Sequence, residues 1–162
     1  MLVPEIRNVS PKKLLGMKLQ MNYANNTTGK LWQSFMPRRH EIPNTLNQSL
    51  YSLQVYPPTF SFADAQANFE KWAAVEVNSS ENIPLGMEAF TLEGGLYAVF
   101  VYQGLSSDTR IFEYIFKTWL PASDYTLDNR PHFELLDHRY KNNDPSSEEE
   151  IWIPIKLKPS TS

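Results

Sequence analysis

Two parts of this chain read alike. Residues 31–37 are LWQSFMP and residues 115–121 are IFKTWLP, and the two match in character at each position. Downstream, Leu53-Gln54-Val55 finds its counterpart in Phe133-Glu134-Leu135, and Glu70-Lys71-Trp72 in Glu150-Ile151-Trp152. Each half runs strand, proline-ended helix, strand, strand. Such a repeat restricts the fold: each half makes a small antiparallel sheet with one helix on one face. The expectation is an α+β tandem strand–helix–strand–strand fold. It forms a single domain over residues 1–162, with pseudo-repeats at about 10–80 and 86–158.

The hydrophobic pattern supplies the elements. In residues 14–22, Leu15, Met17, Leu19 and Met21 alternate with Gly16, Lys18, Gln20 and Asn22, the period of a strand. Leu31, Trp32, Phe35 and Met36 lie at helical spacing before Pro37. Strands follow at 50–56 and 69–77, and a short one at 87–92. The second half opens with a strand at 96–102. A helix then carries the stripe Ile111, Phe112, Ile115, Phe116, Trp119 and Leu120 up to Pro121. Residues 122–129 read as a loop, and residues 130–157 as two strands joined by a polar connection.

Strand alternation assigns faces. His132, Glu134 and Leu136 share one side of their strand. Glu150 and Trp152 share a side of theirs, opposite Ile151, Ile153 and Ile155. If the all-apolar sides form the core, Glu134 and Glu150 both look into a cleft between the halves. Only two helices are available, so the other sheet face is left to form that cleft. On this reading Ser52, Gln54 and Tyr56 line it from the first half, with Glu70 and Trp72. His132, Glu134, Glu150 and Trp152 line it from the second. The two carboxylates suit a cation. The Trp72 and Trp152 faces offer cation–π contacts of roughly 0.5–2 kcal/mol each. Gln54 and Tyr56 offer hydrogen bonds. Within the run Glu148-Glu149-Glu150, only Glu150 is expected to turn inward. One of Tyr97 and Tyr102 faces the cleft, and the alternation does not say which. The first half carries Gln54 where the second carries Glu134, so extra negative charge is expected on the C-terminal side.

Other chemistries find little support. The net charge of −3 lacks the basic excess of a nucleic-acid surface, so no direct nucleic-acid binding is expected. There is no cysteine for a disulfide or a thiolate site. His40, His132 and His138 do not fall into a metal-ligand pattern, and no phosphate-cradling glycine loop or nucleophile elbow is present. No cofactor and no metal are therefore expected. The N-terminal MLVPEIRNVSPKK has no apolar core of a signal peptide, and no apolar run is long enough for a bilayer. A cytoplasmic protein without a membrane partner is the expectation.

The phrases KKLLGMKLQMN, TGKLWQSFMPRR, FEKWAAVEV, YAVFVYQG, IFEYIFKTWLP, RPHFELLD and EEEIWIPI resemble the gyrase-inhibitor-like family. This is the effector-binding domain also fused to AraC-type and MerR-type multidrug regulators. The resemblance runs through nearly the whole chain and is most specific in the HFE strand and the final Glu-Ile-x-Ile-Pro strand. It implies a tandem-repeat fold around a central cleft that takes cationic, lipophilic or aromatic compounds. It carries the ligand-neutralising carboxylate to Glu134 and a second to Glu150. Some free-standing members hydrolyse cyclopropane-bearing alkylating natural products with cleft Glu and Tyr residues. The alternative it implies is therefore a hydrolase using Glu134 or Glu150.

Overall fold

The computed structural model describes residues 2–160. In chain order the elements are β1 (Glu5–Val9), β2 (Lys12–Met21), α1 (Thr28–Phe35), β3 (Leu50–Val55), β4 (Phe69–Glu76) and β5 (Glu88–Leu92). Then come β6 (Gly95–Gln103), α2 (110–122), β7 (Tyr125–Leu127), β8 (His132–Leu136) and β9 (Glu148–Leu157). The strands form one antiparallel sheet in the order β1-β6-β9-β8-β3-β4-β2-β5, with β7 paired to β9.

The order shows how two like units join. The first contributes β2, α1, β3 and β4, and the second β6, α2, β8 and β9. They meet at the β3–β8 ladder, where Ser52 pairs with Glu134 and Gln54 with His132. Each edge strand crosses over. β1 precedes the first unit but pairs with β6 of the second, and β5 precedes β6 but pairs with β2 of the first. The units are thus tied at the seam and at both edges. Neither β1 nor β7 shows in the hydrophobic pattern. Both are short, and their partners rather than their own periodicity make them strands.

The prolines act at the expected places in different ways. α1 stops at Phe35, and Met36–Glu41 continues as a tighter 3-10 turn with Pro37 in its first positions. Met36, read as part of the apolar stripe, is exposed once the helix tightens. In α2 the turn over Ile115–Trp119 is widened, and Pro121 lies within the last turn rather than beyond it. Proline has no N–H to return to the preceding turn, and a widened turn accommodates that loss.

Both faces of the sheet are buried. On one, α1 covers β2 and β4 through Leu31 and Phe35, packed with Leu15, Ala73 and Val75. α2 covers β6 and β9 on the same face through Ile111 and Ile115, packed with Phe100, Ile151 and Ile153. Among the described residues, the other face has no helix. It is filled by its own large side chains, with Tyr51, Leu53, Trp72, Tyr97, Phe133 and Trp152 at its centre. Val9 of β1 and Phe90 of β5 close over it from the edges. β2 approaches β4 closely at Gly16, where a Cβ would stand 2.0 Å from the Ala73 carbonyl oxygen.

Candidate functional site

The helix-bearing face is not fully covered. α1 lies on β2 and β4, α2 packs on β6 and β9, and the β3–β8 seam runs between the two helices, with a pocket at its His132 end. Register fixes what lines that floor, because cross-strand partners share a side. Ser52 pairs with Ala73, which packs under α1. Glu134 pairs with Ser52 on one side and with Ile151, under α2, on the other. Gln54 pairs with His132 and with Lys71. Glu149, opposite Tyr102 on β6, stands one step along β9 from Ile151 on the same face. A polar stripe of Ser52, Gln54, Lys71, His132, Glu134 and Glu149 therefore crosses a face that is otherwise apolar.

Aromatic rings wall the His132 end. The rings of Tyr56, Phe62 and Phe116 lie 4.9, 6.0 and 6.1 Å from the imidazole. Phe62 stacks on Phe116 at 5.4 Å and is 50% exposed, which places it at the mouth. The Tyr56 and Tyr23 hydroxyls are hydrogen-bonded to each other. The segment after Tyr56 folds across this end, tied down where Ala24 N–H donates to the Ala65 carbonyl at 2.9 Å. A pocket of about 220 Å3 opens here between Pro57 and Phe62 on one side and Leu127 and Arg130 on the other.

The cleft perturbs every charge in it. Burial pushes the Glu134 carboxyl up, and the Lys71 ammonium and the Gln54 amide oppose the shift. Glu149 is pushed up to about 7, by burial first and then by the Glu134 charge. Burial lowers the Lys71 ammonium, and the same two carboxylates oppose that. Burial takes His132 down to about 3, so its ring is neutral at physiological pH. The Tyr56 phenol is raised well above its usual value, chiefly by burial. Mutual repulsion and desolvation are the two effects that keep one of a carboxylate pair protonated.

The Glu149 shift has a consequence for stability. A carboxyl raised on folding binds more protons in the folded state, so its contribution is lost as pH rises from about 4.5 to about 7. His132 acts in the opposite sense below its usual value, so the wild-type curve mixes the two. Glu149→Gln separates them. The variant should match wild type near pH 4.5. Above about pH 7 it should be more stable by a few kcal/mol, on the order of one to three. Urea unfolding across that range checks the difference.

A protein-family model for the GyrI-like small molecule binding domain matches residues 3–156. The chain belongs to this family. The transcriptional regulator BrlR of Pseudomonas aeruginosa is 28% identical to it over 145 residues, 88% of this chain and 51% of the regulator. The chain thus spans about half the length of that curated relative. Among solved structures, SAV2435 bound to tetraphenylphosphonium superposes with a TM-score of 0.67 at 20% identity, covering 94% of this chain and 93% of that one. A hydrolase from Listeria innocua superposes with a TM-score of 0.61 at 12% identity, over 95% and 92% of the two chains. At such identities the structures share a fold.

In this GyrI-like domain, the residues expected to line one cleft divide between two faces. Gln54, Tyr56, His132 and Glu134 lie together at the seam. Trp72, Trp152, Glu70 and Glu150 lie on the opposite face, a correction to the single lining expected. The register makes this unavoidable: Trp72 pairs with Leu53, Trp152 with Phe133, and Glu150 with Leu135. Their chemistry is already satisfied within the chain. The indole N–H of Trp72 donates to Glu70 at 2.5 Å, and that of Trp152 to Glu150 at 3.0 Å. The Lys18 ammonium stands 5.6 Å from the Trp72 ring centre and the Arg7 guanidinium 5.3 Å from that of Trp152. Lys18 also pairs with Glu70 at 3.7 Å and Arg139 with Glu150 at 3.1 Å. The repeated Glu-x-Trp pair is a repeated structural device in which the protein supplies its own cation.

Two cleft residues escaped the sequence reading. Glu149, taken as part of a solvated acidic run, is 7% exposed and faces the cleft, while Glu150 faces away. Lys71 had a legible signal. It interrupts the alternation Phe69, Ala73, Val75, so a lysine was bound to stand on an apolar side of β4. Between the two tyrosines left open, Tyr102 pairs with Glu149 on the helix-bearing face, and Tyr97 packs beside Trp152 on the other.

Proposed function

We propose that this domain binds a lipophilic aromatic cation in the cleft over the β3–β8 seam, with Glu134 as its counter-charge. Its role is the sensing or sequestration of such compounds. One observation carries the reading: Glu134 sits in a desolvated cleft, and among the described residues it belongs to none of the ion pairs. A buried carboxylate that is only partly compensated favours a cation that sheds its own water easily. Tyr56 and His132 supply flat walls beside it, and Gln54 an amide. A protein of this fold, SAV2435, was solved bound to tetraphenylphosphonium, a cation of that kind. No helix among the described residues is long and apolar enough to cross a membrane. The cytoplasm is the location we propose.

Isothermal titration with tetraphenylphosphonium tests the reading. Saturable one-site binding is expected, and an absence of binding at millimolar ligand would overturn it. Glu150→Gln serves as a control. It should lower stability by about 1 kcal/mol through the weakened Arg139 and Trp152 contacts. Affinity for tetraphenylphosphonium should stay within about twofold of wild type, because that side chain lies on the far face of the sheet.

A second reading has its own support. Glu149, raised to about 7, stands near Glu134 in a cleft, and a general base works best with its pKa near ambient pH. In a hydrolase of cyclopropane-bearing alkylators, one of these carboxylates would take a proton from water, and the other or Tyr56 would protonate the leaving group. Incubation with such an alkylator followed by mass spectrometry tests this. A water-added product that disappears in Glu149→Gln would support it, and an unconsumed alkylator would exclude it.

A further inference from the structure

We infer that Lys71 determines the charge type of the ligand: the cleft fits an aromatic zwitterion, its cationic part against Glu134 and its anionic part against Lys71. This rests on the cleft reading above and narrows its ligand class. Lys71 is 5% exposed, on a β4 side otherwise made of Phe69, Ala73 and Val75. Among the described residues it belongs to none of the ion pairs. Its charge is met only through space, by Glu134 and Glu149. Lys71 stands on β4 and Glu134 on β8, with β3 between them. Two strand spacings separate the backbones by about 10 Å. The floor between is Ser52 and Gln54, both small or neutral.

Buried groups of both charge signs line this part of the sheet. Burial raises both carboxyls, the Glu134 charge raises Glu149 further, and the Lys71 ammonium opposes both shifts. His132 is neutral. A plain cation entering such a site is met by the carboxylates but must also sit near the Lys71 ammonium, which repels it. A zwitterion turns that repulsion into attraction by placing its anionic end against the ammonium. Its two ends also match charges that the sheet holds a fixed distance apart, so it gains a contact that a plain cation lacks.

Rhodamine B, a zwitterion at neutral pH, and its ethyl ester, a cation, form a matched pair of probes. Wild type should bind the acid about tenfold more tightly than the ester, read by fluorescence anisotropy. Lys71→Met should reverse that order, weakening the acid and strengthening the ester. Lys71→Gln, a milder replacement should the first fold poorly, should do the same. Glu134→Gln should weaken the ester more than the acid. An acid-to-ester ratio unchanged in both folded Lys71 variants, or a wild-type preference for the ester, would overturn the inference. If tetraphenylphosphonium binds while the ratio stays fixed, the inference alone falls. If wild type binds none of the three compounds, the cleft reading falls and takes the inference with it.

Discussion

Replacing Glu134 by Gln should weaken tetraphenylphosphonium binding by about two orders of magnitude, the lower part of the range for losing one partner of a desolvated charge pair. The lower part applies because Glu134 keeps some accessible surface and Lys71 already offsets part of its charge. Glutamine keeps the shape and the acceptor oxygen, so the loss reports charge rather than packing. A pH signature should accompany it. The raised Glu134 carboxyl must ionise to hold the cation, so wild-type affinity should fall as pH drops through that raised value and level off above it. In the variant that acidic limb should shrink, leaving only the part that Glu149 contributes near pH 7. Titration calorimetry at several pH values separates the two. Equal affinity of wild type and variant across the range would remove Glu134 from the site.

How much of this was legible depends on what a strand pattern encodes. Alternation gives the two sides of β8 and β9 correctly, with His132 and Glu134 together and Glu150 and Trp152 together. It does not give the register between strands. In β8 the side carrying Glu134 meets Ile151, not Glu150, and that single pairing separates the two carboxylates. The error followed from treating an all-apolar side as core and a mixed side as cleft. Here both faces are buried. Ile151, Ile153 and Ile155 are apolar because α2 covers them, beside the cleft rather than behind it. The tandem architecture and the prolines near the helix ends were legible because they depend on local chemistry and order along the chain, although Pro121 lies inside its last turn. Lys71 was legible in principle as a charge on an apolar side. Glu149 was not, because a run of acids hides which member points inward.

The helix-free face makes a second large effect predictable. Phe133→Ala should reduce stability by about 3–5 kcal/mol, the range for deleting a buried aromatic ring. Phe133 is 1% exposed and stacks on Trp152 with ring centres 5.0 Å apart and planes at 17°. Tyr51 and Tyr97 stand 5.3 and 5.4 Å away. Among the described residues no helix lies above this cluster to settle into the space a lost ring leaves, so little of the cavity should close. Against a total of about 5–15 kcal/mol for a domain, the loss is a large fraction. It should lower the melting temperature by on the order of 10 °C. Phe133→Leu keeps most of the volume and should cost about 1–2 kcal/mol. Because Phe133 and Glu134 point to opposite sides of β8, Phe133→Leu should leave tetraphenylphosphonium affinity unchanged well below its melting temperature. Thermal denaturation paired with calorimetry reads both quantities. Weakened binding without lost stability would mean that the aromatic face, not the seam between the helices, holds the ligand.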